Sequence, residues 1–168
     1  MPIQLSQTMR SVLILLRLLI VLNLVALAGF VVIMVASFTS IFAASLSATN
    51  PEAAIKPLLL SVRVVMAIAI LMTPFAHLLL TRLRNIVETV RAGDPFLPGN
   101  ARHLHTIAWC LFALQLLDLG FGAVSLATED SIGWSFALTG WIAVVLLFVL
   151  AKVFEHGTTM RDELAGTV

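Results

Sequence analysis

The chain has 168 residues, of which 60% are hydrophobic and 11% are charged, and its formal net charge is +1. Soluble globular domains carry about 25% charged residues, so this composition excludes a water-facing globular surface and indicates an integral membrane protein. The small net charge excludes a strongly basic surface for direct nucleic-acid binding. The single cysteine, Cys110, excludes an internal disulfide.

Four long apolar segments follow one another, each close to or above the roughly 20 residues that a membrane-spanning helix needs. The stretches 18–51, 64–81 and 131–151 contain no Asp, Glu, Lys or Arg, and the stretch 104–128 contains only Asp118. The first run exceeds the core of a signal peptide, so we expect it to be a retained helix. None of the runs alternates with period two, which favours helices over a β-barrel.

The predicted fold is therefore all-α, an integral membrane four-helix bundle that forms one domain over residues 1–168. The predicted helices cover residues 14–40, 58–81 with a continuation to 92, 103–127 and 133–154, and residues 155–168 form a short cytoplasmic tail. The continuation is expected because Leu83, Ile86, Val87 and Val90 recur at helical spacing, and Arg84 and Glu88 on it are expected to form an i,i+4 pair.

Arginine and lysine indicate the orientation of the helices. Basic residues flank the N-terminal end of the first helix, fill the segment between the second and third helices, and follow the fourth: Arg10, Arg17, Arg82, Arg84, Arg91, Arg102, Lys152 and Arg161. Short loops rich in Arg and Lys stay on the cytoplasmic side. We therefore expect both termini and the central loop to be cytoplasmic, so that the chain forms two helical hairpins.

Two charged residues, Arg63 and Asp118, fall inside predicted helices. An unpaired charge at the centre of a membrane helix costs roughly 2.5–3.5 kcal/mol on insertion scales, and their predicted depths differ by only about 6 Å. We therefore expect them to pair, either as a structural lock or as part of a proton or ion relay. Asn23 and Gln115 are further intramembrane polar candidates, suited to hydrogen bonds between helices.

The sequence predicts no catalytic residue, no metal site and no cofactor. It contains no GxSxG, HExxH, Walker or GxGxxG motif. The four histidines are expected near the cytoplasmic face, but His103 and His105 are two residues apart and point away from each other on a helix. The protein is thus expected not to be an enzyme.

The central segment between the second and third helices has the residues of a tight turn. Gly93 suits the left-handed residue that ends a helix, Asp94–Pro95 suits a short turn, and Asn100 can cap the third helix. None of this turn chemistry requires Phe96. Gly93, Asp94, Pro95, Phe96 and Asn100 are therefore the residues that we expect to contact a partner.

Two stretches, "LRNIVETVRAGDPFLPGNARHLHTIAW" and "VFEHGTTMRDELAGTV", resemble a bacterial family of small four-helix membrane proteins, domain of unknown function 2975. The resemblance covers about residues 58–168 by motif and the whole chain by layout. The matching positions are Gly93, Pro95, Phe96, Asn100, Ala101, Phe154, Gly157 and Val168. It implies a multi-pass protein of the bacterial inner membrane without established catalytic activity, whose relatives are often encoded beside a small helix-turn-helix transcription regulator.

Three functions remain open on the sequence alone. The leading one is a non-enzymatic membrane protein that senses or anchors, in contact with the lipid bilayer and with a cytoplasmic partner such as that regulator. The second is a small homo-oligomeric transporter or channel that uses Arg63, Asp118, Asn23 and Gln115 as a polar path. The third is a membrane enzyme with a site near the cytoplasmic histidines.

Overall fold

The computed structural model describes residues 2–49, 55–93, 97–127 and 134–165, and the side chains of residues 7–49, 55–93, 97–125 and 134–160. All regular structure in these ranges is helical. The helices are α1 (Pro2–Ala36), α2 (Ser40–Thr49), α3 (Ile55–Arg91), α4 (Pro98–Ala127) and α5 (Leu138–Ala165).

Four of these helices, α1, α3, α4 and α5, are long and apolar enough to cross a membrane. The qualifying spans are Gln7–Ala36, Ile55–Arg91, Pro98–Ser125 and Leu138–Met160. This result confirms the predicted all-α class and a multi-pass membrane protein.

The helices pack in the order of the chain. α1 packs against α3, α3 against α4, and α4 against α5, while the short α2 lies on α3. Many large apolar side chains remain exposed, among them Leu18 at 61% and Val32 at 66%. In a membrane this exposure is expected, because lipid tails are as apolar as the side chains that they contact.

The face of α1 toward α3 follows a heptad pattern. Nine of the less exposed positions, which Val12, Ala26 and Ala36 flank, recur at alternating steps of three and four residues: Met9, Leu13, Leu16, Ile20, Asn23, Leu27, Phe30, Met34 and Ser37. This is the spacing by which two long helices keep one seam in contact. The seam is apolar except for Asn23 and Ser37, which occupy equivalent positions two heptads apart.

The first predicted helix, 14–40, differs from the structure at both ends. α1 begins at Pro2 and ends at Ala36, and a second helix, α2, follows after three residues. The Thr39 hydroxyl accepts a hydrogen bond from the Phe42 N–H at 3.3 Å, the geometry of an N-terminal cap. The apolar run conceals this break because the residues on both sides of it are equally hydrophobic.

The third and fourth predicted helices are longer in the structure. α4 begins at Pro98 rather than at residue 103, because proline is well tolerated at the first position of a helix. α5 begins at Leu138 rather than at residue 133, and it continues to Ala165 through most of the segment predicted as a tail. The Thr158 and Thr159 hydroxyls donate back to the Glu155 carbonyl at 2.7 and 3.1 Å, so they lie inside the helix and do not cap a new one.

Candidate functional site

The side chain of Arg63, on α3, reaches the junction between α1 and α2. Its Nη2 donates to the Ser37 carbonyl at 2.8 Å, and its Nε donates to Ser37 Oγ at 3.3 Å. The guanidinium carbon sits 4.1 Å from the centre of the Phe38 ring. Carbonyls at the end of a helix lack intrahelical donors and carry partial negative charge, so a cation is stabilised there. Arg63 therefore closes the end of α1 from the neighbouring helix.

Asp118 lies on a different interface. Its Oδ2 accepts a long hydrogen bond from Trp134 Nε1 at 3.4 Å. The Trp134 ring fills the space that a side chain at Gly122 would need. Among the side chains that the structure describes, Arg63 and Asp118 form no ion pair. The expected Arg63–Asp118 pair is therefore not formed, because each residue has its own partner near a helix end.

The remaining intramembrane candidates are also separated. The Gln115 side chain on α4 lies against the backbone of Gly140 on α5, in space that a Cβ at Gly140 would occupy. Asn23 lies on the α1 seam, and its buried Oδ1 has no hydrogen-bond partner. The structure thus divides the four residues between the α1–α3 and α4–α5 interfaces, and no single polar path joins them.

One histidine of α3 shares the unsatisfied state of Asn23. The Nδ1 of His77 is also buried without a hydrogen-bond partner. Sequence reasoning missed this feature because it treated His77 only as an interfacial residue.

The turn end of the bundle is the end at which α3 ends, α4 begins and α5 ends. Gly93 has a φ of +91°, and its N–H donates to the Val90 carbonyl at 3.1 Å. Gly93 is thus the left-handed residue after α3, as predicted. Asp94, Pro95 and Phe96 lie outside the described residues.

Asn100 differs from its predicted role. It lies inside the first turn of α4, with its N–H donating to the Leu97 carbonyl, and its side chain is 1% exposed. Its Nδ2 donates to Thr89 Oγ1 at 2.7 Å, and its Oδ1 lies 2.9 Å from the same hydroxyl. Asn100 therefore joins α4 to the last turns of α3 instead of capping its own helix. Sequence reasoning missed Thr89 because its partner is eleven residues away on another helix.

Two arginines near the end of α3 have contrasting environments. Arg84 Nε contacts Glu88 Oε1 at 2.9 Å, which confirms the predicted i,i+4 pair. Arg82 has a buried Nε without a hydrogen-bond partner.

A groove of about 860 Å³ opens between α4 and α5 at the turn end. This α4–α5 groove is lined by Pro98, Ala101, Arg102, His105 and Thr106 of α4 and by Phe148, Ala151, Lys152, Glu155, Thr158 and Thr159 of α5. Its volume lies within the roughly 300–1,000 Å³ range of small-molecule sites. Sequence reasoning did not find it, because its two walls are about 50 residues apart in the chain.

Aromatic side chains support the deep end of the groove. His105 and Trp109 both meet Phe148 edge-on, with ring centres 5.5 and 5.4 Å apart. Trp109 Nε1 donates to His105 Nε2 at 3.1 Å. Because an indole N–H can only donate, His105 Nε2 must accept, and the neutral imidazole carries its proton on Nδ1. His105 therefore keeps one donor for a ligand.

The described side chains hold no group of three or more His, Cys, Asp or Glu residues placed to bind a metal ion. Within the groove, the Lys152 ammonium contacts Glu155 Oε2 at 2.8 Å, and both side chains are mostly exposed. The groove thus offers hydrogen-bond donors and cations, rather than an array of metal ligands.

Comparison with known protein families identifies a match. A family model described as a protein of unknown function, DUF2975, matches residues 42–168, which include both motif stretches. This match confirms the resemblance seen in the turn and tail motifs. No curated protein and no solved structure matches the chain.

Proposed function

We propose that this chain, which belongs to the DUF2975 family of proteins of unknown function, is a non-enzymatic membrane protein that recognises a cytoplasmic partner at its turn end. The proposed partner is a small helix-turn-helix regulator, as the family resemblance implies. The protein would then act as an anchor or sensor that links the membrane to transcription. The proposed location is the bacterial inner membrane.

The Thr89–Asn100 contact is the observation that carries this proposal. It ties the last turns of α3 to the first turn of α4 with a fully buried amide. The helix ends on both sides of residues 94–96, which include the predicted contact residues Asp94, Pro95 and Phe96, are therefore held together. Loops held on a rigid scaffold are suited to recognition, because little conformational entropy is lost on binding.

The distribution of basic residues supports a cytoplasmic turn end. Arg82, Arg84, Arg91 and Arg102 lie at the end of α3 or the start of α4, and Lys152 of α5 lines the same groove as Arg102. The positive-inside rule favours the cytoplasm for such a cluster. The proposed topology therefore has both termini inside, and cysteine labelling of Cys-substituted positions in intact cells tests it independently.

Co-purification with a defined partner tests the function. The full chain is co-expressed with a small helix-turn-helix regulator of the kind that the family resemblance implies, and both are quantified after purification from membranes. We expect the wild-type chain to retain the regulator, and the double variant Pro95→Ala/Phe96→Ala to lose most of it. Phe136→Ala, at an exposed phenylalanine outside the turn end, is the matched control and should retain it.

Two outcomes would contradict the proposal. One is the absence of the regulator from wild-type preparations. The other is equal recovery of the regulator with the Pro95→Ala/Phe96→Ala variant and with the Phe136→Ala control, which would show that the turn does not bind the regulator.

Transport is the competing function, and the structure supplies no specific support for it. The polar residues expected to form a path are divided between two interfaces. Flux of ions or protons through wild-type protein in liposomes, reduced by Asp118→Asn, would nevertheless favour transport over recognition.

A further inference from the structure

We infer that the α4–α5 groove binds one anionic phospholipid from the leaflet at the turn end. Arg102, Lys152 and the free donor of His105 would hold the phosphate, and an acyl chain would run along Phe148 toward Trp109. This inference goes beyond the proposed function and does not rest on it.

The polarity of the groove changes along the helix axis. On α5 the lining passes from Phe148 and Ala151 to Lys152, Glu155 and Thr159 over about 16 Å at 1.5 Å per residue. α4 runs antiparallel, and its lining passes in the same spatial direction from His105 toward Arg102 and Pro98. The α5 wall is thus apolar toward the membrane interior and polar toward the turn end, which is the polarity of a lipid with its headgroup outward, and α4 contributes the cation Arg102 to the same groove.

The groove lies where a lipid can reach it. Its lining residues fall within the membrane-spanning lengths Pro98–Ser125 and Leu138–Met160. Trp109 is 54% exposed, and Val145 and Val149 on α5 are similarly open. An acyl chain could therefore enter sideways from the bilayer, which a soluble anion would not require.

The charges of the lining favour an anion. Arg102 and Lys152 contribute two positive charges and Glu155 one negative charge. His105 Nε2 is occupied by Trp109, so its Nδ1–H is the donor that remains for a phosphate oxygen. Glu155 holds the Lys152 ammonium at 2.8 Å, so binding would draw Lys152 away from this carboxylate. Removing the Glu155 charge should accordingly strengthen binding.

Tryptophan quenching by brominated lipids tests the inference on the full chain. Trp134→Phe/Trp141→Phe leaves Trp109 as the single reporter beside the groove. The purified protein is placed in vesicles that contain brominated phosphatidylglycerol or brominated phosphatidylcholine, and the relative binding constant at Trp109 is measured. We expect a clear preference for phosphatidylglycerol.

Charge variants then locate the site. Arg102→Gln and Lys152→Gln should each reduce the preference about fivefold, which corresponds to about 1 kcal/mol per cation near a membrane surface. Glu155→Gln should increase it. Arg17→Gln removes an exposed arginine near the same end but outside the groove, and it should leave the preference unchanged. Circular dichroism confirms that each variant is folded.

Three results would overturn the inference. Equal quenching by the two lipids would show that no anionic headgroup is selected. An equal effect of Arg17→Gln and Arg102→Gln would show a diffuse surface potential rather than a site. Relief of quenching by soluble glycerol phosphate or inorganic phosphate would identify a free anion, rather than a lipid, as the ligand.

Discussion

Arg63 and Ser37 are joined by a 2.8 Å hydrogen bond from the guanidinium Nη2 to the Ser37 carbonyl, which fastens the end of α1 to α3. Hydrogen bonds from a charged donor are worth about 1.5–3 kcal/mol. We expect Arg63→Met to lower the free energy of unfolding by roughly that amount. Arg63→Lys should have an intermediate effect, because an ammonium cannot reproduce the fixed fork of a guanidinium. Thermal unfolding in detergent, followed by circular dichroism, measures both.

A double-mutant cycle separates this contact from an ion pair with Asp118. Since the two residues have different partners, the effects of Arg63→Met and Asp118→Asn should add to within about 0.5 kcal/mol. Lys56→Gln, at an exposed cation on the same helix, is the control and should be nearly neutral. A coupling free energy well above that limit would show that Arg63 and Asp118 interact directly.

The Thr89–Asn100 contact should be among the most sensitive positions at the turn end. Thr89→Val keeps the shape of the side chain and removes the hydroxyl, so the buried Asn100 amide loses both contacts. We expect a loss of about 1–3 kcal/mol in unfolding free energy. Thr106→Val is the matched control, because that hydroxyl bonds to the Arg102 carbonyl in its own helix. Equal melting temperatures for the two variants would contradict a stabilising role of the Thr89–Asn100 contact.

Gly93 and Gly29 should respond oppositely to alanine. Neither has a neighbouring atom within 4 Å of an added Cβ, so steric contact plays no part. Gly93 has a φ of +91°, where an L-residue costs about 1–2 kcal/mol. Gly29 has an ordinary helical backbone, and Gly29→Ala should stabilise by up to about 1 kcal/mol. If Gly93→Ala left the free energy of unfolding unchanged or raised it, the left-handed turn after α3 would be wrong.

Gly122 should be intolerant of a side chain because the Trp134 ring occupies the space of its Cβ. Overpacking of this kind costs about 1–3 kcal/mol, so Gly122→Ala should lower the melting temperature. Gly120→Ala, where nothing lies within 4 Å, should not. Trp134→Leu should remove the penalty of Gly122→Ala, and persistence of the penalty in the double variant would argue against this contact.

We expect an apolar residue in place of Asn23 to make the folded protein more stable than the native residue does. Its buried Oδ1 lacks a partner, and burial of an unsatisfied polar group costs about 1–3 kcal/mol in proteins. Asn23→Leu, which completes the apolar seam of α1, should therefore raise the melting temperature. A decrease would show that Asn23 has a partner, such as a bound water.

Much of the architecture follows from composition alone. Apolar runs about as long as a bilayer is thick permit little other than spanning helices, because unsatisfied backbone groups are too costly in lipid. Local rules also predicted the continuation of α3 to Arg91, the Arg84–Glu88 pair and the left-handed Gly93. Each of these depends on residues within one or two turns of each other.

Tertiary structure decided the partners of the polar residues. The sequence pattern suggested Asp118 as the partner of Arg63, but in the structure Arg63 donates to the Ser37 carbonyl. Because every residue has a backbone carbonyl, the sequence does not indicate which one accepts this hydrogen bond. Asn100 contacts Thr89 on α3 instead of capping α4 as expected. The α4–α5 groove is formed by two helices whose lining residues are far apart in the chain. The sequence by itself determined that the chain spans a membrane, because hydrophobicity is a property of each segment. Which polar groups meet is a property of helix register, which only the packed structure sets.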